Sequence, residues 1–135
     1  MILILPATIS PHKNVPMLAL NDSKERLAQY IDSVKFFIHN SSVQKIILCD
    51  NSNSQSQEMR GLQIEADKLN KKFEYLTFSG DNQMVIKCGK GYGEGEILEY
   101  VFRNSRILTE DDYVLKLTGR MQLDNIDELV KKMDP

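Results

Sequence analysis

The sequence predicts a three-layer α/β/α domain with a mostly parallel sheet. Short apolar segments that fit strands alternate along the chain with longer segments whose apolar residues recur at helical spacing. Such alternation is typical of parallel strands covered by helices on both faces. The 135 residues, 41% hydrophobic and 27% charged, suit one globular domain over 1–135.

The first half of the chain predicts three strands and two helices. Residues 2–5 form a continuous apolar run ended by Pro6, which fits a strand buried on both faces. Asp22 followed by Glu25 resembles a capping box and opens the first helix. The predicted elements are strands over 2–5, 45–49 and 73–78 and helices over 23–39 and 57–71.

A glycine-rich stretch dominates the second half. Glycines stand at positions 89, 91, 93 and 95, between lysines and just before an apolar periodic segment. Because glycine removes side-chain bulk and tolerates positive φ, we expect residues 87–95 to form a ligand-approaching loop. The remaining predicted elements are a short extra strand over 84–88, a helix over 96–105, a strand over 112–117 and a helix over 126–133.

Polar residues follow two of the predicted strands and indicate a ligand site. Asp50 follows the second strand, and the turn Thr118-Gly119-Arg120 closes the fourth. Ligands of open α/β sheets bind beyond the carboxyl ends of the strands. We therefore expect the turn over 118–120 and the glycine-rich stretch over 87–95 to face the same ligand. The glycine stretch matches neither GxGxxG nor the P-loop pattern. A turn needed only for packing is the alternative.

Asp50, Lys116 and Arg120 each allow two interpretations. Asp50 can accept hydrogen bonds from ribose hydroxyls or a base N–H, or it can form an Asx-turn with Asn51. Lys116 lies inside an apolar strand, where an unpaired lysine is rarely buried. It and Arg120 can contact a diphosphate, or can stand on an exposed face in a salt bridge at the end of the strand.

Composition narrows the function classes. The net charge of −2 argues against broad nucleic-acid binding. Cys49 and Cys88 lack the partners of a zinc site, and Cys49 fits a buried small residue. No apolar run approaches the roughly 18 residues of a membrane span. The short apolar N-terminus lacks signal-peptide features, so a cytoplasmic location is expected.

Six segments, taken in order, carry a likeness to a known family: Leu5-Pro6-Ala7-Thr8, Leu27-Ala28-Gln29-Tyr30, Asp50-Asn51-Ser52, Lys90-Gly91-Tyr92-Gly93, Arg103-Asn104 and Asp112-Tyr113-Val114-Leu115. Together they resemble the nucleotide-sugar-binding half of GT-A-fold glycosyltransferases, closest to bacterial enzymes that build surface polysaccharide. In that family the first strand ends in Pro with small and Thr-like residues, and the second strand ends in an Asp-rich turn.

The resemblance implies a Rossmann-like fold and transfer of a sugar from a nucleoside-diphosphate sugar to an acceptor hydroxyl. The acceptor would be a glycan or a lipid-linked group, and the reaction would take place in the cytoplasm, at the inner face of the membrane. The residues expected to bind the nucleotide sugar are Pro6, Ala7, Thr8, Asp50, Asn51, Lys90, Gly91, Tyr92, Lys116, Thr118, Gly119 and Arg120.

The chain departs from the family pattern in two ways. The family carries Asp-x-Asp after the last strand to bind Mn²⁺ or Mg²⁺, whereas this turn is Thr118-Gly119-Arg120. Lys116 and Arg120 can neutralise the leaving diphosphate instead, and Asp124 is the nearby candidate metal ligand. The family's acceptor-binding half and catalytic base also lie beyond this point, so we expect a donor-binding portion or a reduced relative.

Two alternatives remain at this point. The missing Asp-x-Asp fits a non-catalytic nucleotide-binding or partner domain. A sugar-phosphate nucleotidyltransferase fits less well, because residues 6–22 lack the glycine-rich loop that those enzymes carry after the first strand. An exposed apolar patch where the missing half would pack predicts self-association.

Overall fold

A computed structural model describes residues 1–11, 23–118 and 125–133. Strands and helices alternate through these residues as predicted, except that two successive helices follow the third strand. The elements are β1 (Ile2–Ala7), α1 (Ser23–Asn40), β2 (Lys45–Asp50), α2 (Gln57–Lys68), β3 (Lys72–Thr77), α3 (Asn82–Cys88), α4 (Lys90–Asn104), β4 (Val114–Lys116) and α5 (Ile126–Met133).

The four strands form one parallel sheet in the order β3-β2-β1-β4. The chain steps outward from β1 to β2 and β3, then crosses back to place β4 on the other side of β1. Helix α1, which follows β1, and helix α4, which precedes β4, therefore lie on opposite faces of the sheet. This arrangement makes the carboxyl ends of β1 and β4 the topological switch point, where ligands of open α/β sheets bind.

Helices cover both faces of the sheet, which confirms the predicted three-layer α/β/α architecture. Leu3 and Leu5 of β1 pack on one face with residues of α1, α2 and α5. Their neighbours in the strand, Ile2 and Ile4, pack on the other face with Ile97 and Val101 of α4. Alternate residues of one strand thus serve two separate cores, as the continuous apolar run predicts.

The glycine-rich stretch is helical, so the predicted loop over 87–95 and the predicted strand over 84–88 are both wrong. Asp81 begins α3, its side chain accepting from the Met84 amide at 3.0 Å. Gly89, with φ 91°, breaks the chain between α3 and α4. The other glycines of the stretch lie in the first turns of α4, where the close packing of Gly93 against Asn51 and Val85 offsets their low helix propensity.

The second predicted helix and the fourth predicted strand are shorter than expected. Helix α2 ends at Lys68, and Asn70 then takes a positive φ of 57°. That turn directs Lys71 back to α1, where its Nζ donates to the carbonyls of Ile38 at 2.7 Å and Ser41 at 2.5 Å. Strand β4 begins only at Val114, because Asp112 is held in the preceding turn by the Thr109 amide and Lys45.

Helix α5 packs on the α1–β2 connection through Asp127. The carboxylate accepts from the Ser42 amide at 2.7 Å and the Ser42 hydroxyl at 2.8 Å. These two hydrogen bonds stabilise the charged form and lower the pKa of Asp127. Among the described helices, none is long and apolar enough to cross a bilayer.

Because the pKa of Asp127 is lower in the folded chain, its contribution to stability is present above its unfolded pKa and is lost as acid protonates the folded carboxylate. We expect Asp127→Asn to lower the free energy of unfolding by about 1 kcal/mol at pH 7. Near pH 2 the variant and the wild type should be equally stable. Urea unfolding at both values measures this.

Glu128→Gln is the matched control, since Glu128 is exposed on the same helix. It should leave stability unchanged at pH 7. An Asp127→Asn deficit that persists undiminished at pH 2 would contradict the assignment to carboxylate charge.

Candidate functional site

A cleft of ≈ 290 Å³ lies at the carboxyl ends of the strands, at the switch point between β1 and β4. Helix α1 contributes its first turns, and α4 contributes one face at spacings of three and four residues. The lining residues are Pro6, Ala7, Thr8, Ser10, Arg26, Tyr30, Asn51, Ser52, Ser79, Gly80, Asn82, Val85, Lys90, Gly93, Glu94, Ile97 and Thr118.

The fully buried Asp50 carboxylate holds the turns beneath this cleft. Its Oδ1 accepts from the Ile9 amide at 2.9 Å and the Ser52 hydroxyl at 2.6 Å. Its Oδ2 accepts from the Ser54 amide at 2.9 Å and the Thr77 hydroxyl at 2.8 Å. One side chain therefore ties together the chain segments at the ends of β1, β2 and β3.

Asp50 does not line the cleft, in contrast to its expected contact with base or ribose. The Ser52 amide, 3.2 Å from Oδ1, closes the Asx-turn that was its alternative interpretation. Because protein donors occupy both of its oxygens, the Asp50 carboxylate holds the turns beneath the cleft in place. Asn51, the next residue, is the one that reaches the cleft.

The cleft floor is a hydrogen-bonded chain centred on Thr8. The Thr8 amide donates to the Tyr30 hydroxyl at 3.0 Å, and the Thr8 hydroxyl donates to Asn51 Oδ1 at 2.8 Å. Buried Arg26 donates to the Thr8 carbonyl at 2.6 Å and to the Tyr30 hydroxyl at 3.1 Å. These contacts fix the segment after β1 against both α1 and the β2 turn.

Two glycines let the neighbouring elements approach Asn51 closely. A Cβ on Gly80 would lie 3.1 Å from the Asn51 carbonyl oxygen, and one on Gly93 would lie 3.2 Å from Asn51 Nδ2. The Gly80 amide also donates to that carbonyl oxygen at 2.9 Å. Gly93 thus serves close packing of α4 on the site, and its role is steric.

Lys116 pairs with Glu94 of α4 at 2.9 Å, with both side chains substantially exposed. This contact matches the salt-bridge alternative for Lys116, and Lys116 does not line the cleft. Glu94 and Lys90 do line it, one turn apart on α4. The described wall of the cleft therefore carries one lysine ammonium and one carboxylate that a second lysine already neutralises.

The structure brings part of the predicted site together. The predicted residues that line the cleft are Pro6, Ala7, Thr8, Asn51, Lys90 and Thr118. Those placed elsewhere are Asp50, Gly91, Tyr92 and Lys116. The predictions for Gly119, Arg120 and Asp124 lie outside the described residues.

Sequence reasoning missed Arg26 and Tyr30, which reach the cleft from α1. Tyr30 fits the apolar side of that helix, and its side chain is buried. The signal that could have found them is their spacing: polar groups four residues apart near a helix start share one face. Only the packed fold shows that this face meets Thr8.

The two cysteines differ in exposure: Cys49 is buried and Cys88 is exposed. Burial next to Asp50 raises the pKa of the Cys49 thiol to about 12, so the thiol stays protonated. Within residues 1–11, 23–118 and 125–133, no group of three or more His, Cys, Asp or Glu side chains can hold a metal ion.

Comparisons with known proteins give no relative. None of the protein-family models, curated proteins or solved structures compared with the chain matches it.

The Asp50 network predicts a stability role. We expect Asp50→Ala to lower the free energy of unfolding by about 3 kcal/mol or more, because five buried or half-buried hydrogen bonds lose their acceptor. Denaturant unfolding followed by circular dichroism measures this.

Asp67→Ala is the control, since Asp67 is an exposed carboxylate on α2. It should change stability by less than about 0.5 kcal/mol. Equal stabilities of the two variants would show that the Asp50 network does not organise the turns.

Proposed function

We propose that the cleft binds a nucleoside-diphosphate sugar and that the chain is the donor-binding portion of a GT-A-type glycosyltransferase. One observation carries the proposal. Residues assigned to the donor from separate segments of the sequence converge on one cleft at the switch point of the sheet: Pro6, Ala7, Thr8, Asn51, Lys90 and Thr118. From the resemblance to this family we also propose a role in surface-polysaccharide synthesis and a cytoplasmic location.

The chemistry of the cleft supports a ligand with both polar and apolar parts. Pro6, Val85 and Ile97 supply apolar surface, while Thr8 and Asn51 supply hydrogen-bonding groups. Small-molecule sites combine these features in clefts of roughly 300–1,000 Å³. The cleft volume of ≈ 290 Å³ lies at the small end of that range and suits part of a nucleotide sugar.

Lys90 is the group that we assign to the negative charge of the diphosphate. It stands in the first turn of α4, where the helix dipole adds to the attraction for an anion. Glu94 carries the opposite charge but is paired with Lys116. Of these two residues of α4, Lys90 is the one without an ion-pair partner among the described residues, so it presents its positive charge to an anionic ligand.

In the proposed reaction the bond between the anomeric carbon and the β-phosphate oxygen breaks, and the nucleoside diphosphate leaves with the electron pair. The acceptor oxygen forms the new bond to the anomeric carbon and loses its proton to a base. Stabilising the charge on the leaving diphosphate lowers the barrier. The described part of the cleft supplies donor binding, and we assign no catalytic base within it.

The described residues do not fit the divalent cation that the family uses. Mn²⁺ and Mg²⁺ take oxygen ligands in near-octahedral sets. Glu94, already bound to Lys116, is the one carboxylate on the described wall of the cleft. No step is therefore assigned to a metal ion.

A thermal-shift panel tests the proposal. UDP, GDP, dTDP and CMP and their sugar conjugates are each added with Mn²⁺ or with EDTA. A ligand at about 100 times its dissociation constant adds about 2.7 kcal/mol, which raises the midpoint by several degrees. We expect one base to give this shift, and roughly tenfold weaker binding in Lys90→Met because a charged hydrogen-bond donor is lost.

Lys87→Met is the matched control, an exposed lysine of α3 that does not line the cleft. Its affinity should equal that of the wild type. Absence of a shift with every nucleotide would contradict donor binding. A shift without sugar transfer or hydrolysis, even with the acceptor-binding half supplied, would leave the non-catalytic nucleotide-binding domain as the better account.

A further inference from the structure

We infer that Thr8 is a positioning residue that holds two hydrogen-bond donors, the Tyr30 hydroxyl and the Asn51 amide, ready for acceptor oxygens of the bound ligand. The inference rests on the proposed function for the identity of that ligand. Its geometry stands on the contacts of three side chains at the cleft floor.

Tyr30 supplies the first donor. Its hydroxyl oxygen already accepts two hydrogen bonds, from the Thr8 amide at 3.0 Å and from Arg26 Nη2 at 3.1 Å. A phenolic hydroxyl also has one proton to donate, and within the described residues no acceptor receives it. The side chain is 3% exposed yet lines the cleft. A buried donor left unpaired costs free energy, so a bound acceptor oxygen would be favourable here.

Asn51 supplies the second donor. Its Oδ1 accepts from the Thr8 hydroxyl at 2.8 Å, which directs Nδ2 away from Thr8. Nδ2 lies against Gly93 of α4, where a Cβ would come within 3.2 Å of it. No acceptor for the two Nδ2 protons lies in the part of the chain that the structure describes.

Thr8 connects the two donors through different atoms. Its backbone amide occupies the Tyr30 oxygen, and its side-chain hydroxyl occupies the Asn51 oxygen. Tyr30 and Asn51 are thereby held with a hydrogen bond to the oxygen of each side chain, while the Tyr30 O–H and the Asn51 N–H protons remain unused. Preorganised donors of this kind add affinity because the ligand does not have to order them.

The paired donors define the chemistry that this part of the cleft recognises. A group with acceptor oxygens fits the unused protons of the Tyr30 hydroxyl and the Asn51 amide. Three parts of a nucleotide sugar carry such oxygens: the nucleoside, with its base carbonyls and ribose hydroxyls, the phosphates, and the sugar. Nucleosides, inorganic pyrophosphate and the intact nucleotide sugars separate these three sources.

Calorimetric titration with pyrophosphate, with four nucleosides (uridine, thymidine, guanosine and cytidine) and with the nucleotide sugars tests the inference. Thr8→Val keeps the shape and the backbone amide but removes the hydroxyl that orients Asn51. We expect it to weaken binding roughly tenfold, the value of about one lost hydrogen bond. Thr8→Ser, which keeps the hydroxyl, should bind as the wild type does.

A double-mutant cycle with Asn51→Ala separates positioning from general damage to the fold. If Thr8 acts through Asn51, Thr8→Val should cost little further affinity once the amide is gone. Equal thermal midpoints of Thr8→Val and Thr8→Ser would verify that both variants are folded.

The outcomes for the two proposals differ. Loss in the pyrophosphate series alone would identify phosphate oxygens as the ligand group, and loss in the nucleoside series alone would identify oxygens of the base or ribose. Loss with the intact nucleotide sugars alone would identify oxygens of the sugar. Nucleotide-sugar binding that Thr8→Val leaves unchanged overturns the role of Thr8 but not donor binding. Thr8-dependent binding of pyrophosphate without any nucleotide-sugar binding supports the subsite and overturns donor binding. No binding of any probe to the wild type overturns both.

Discussion

The Asp50 carboxylate is buried at the ends of three neighbouring strands, and the amides and hydroxyls around it occupy both of its oxygens. A buried charge is tolerated only when hydrogen bonds replace the water it has lost. The turns that follow β1 and β2 must therefore take the conformations that present those donors. The rest of the site depends on this constraint, because Ile9 lies between Thr8 and Ser10, which reach the cleft, and Ser52 lines it beside Asn51.

The cleft shows how a parallel sheet supplies binding groups without long loops. The switch point opens space beyond β1, and the Asp50 frame fixes Thr8 and Asn51 at its floor. Helix α4 then packs closely enough to form a wall, because Gly93 has no side chain to hold it away from Asn51. The sheet topology, the buried Asp50 charge and the close packing at Gly93 therefore all shape the same small region, the floor and wall of the cleft.

Much of the fold could be predicted from the sequence, since the apolar runs and helical periodicities gave the layers and nearly all of the elements. The prediction for the glycine-rich stretch was wrong because local propensity disfavours a helix there. The Asp81 cap favours α3, and the packing of Gly93 favours α4. Asp50 and Asn51 were recognised as a site turn, but which of them faces the cleft depends on donors distant in sequence. The contribution of Arg26 and Tyr30 depends likewise on how α1 packs on Thr8.

Amide-resonance mapping with a bound nucleotide sugar tests most directly whether the cleft over the Asp50 frame is the ligand site. The account predicts that the largest chemical-shift changes in ¹H–¹⁵N spectra fall on Thr8, Asn51 and Gly93, including the side-chain amide of Asn51. A second groove, lined by residues of α1 and α2 such as Asp32 and Glu58, lies elsewhere on the surface. Changes concentrated there, with Thr8 and Asn51 unmoved, would contradict the account.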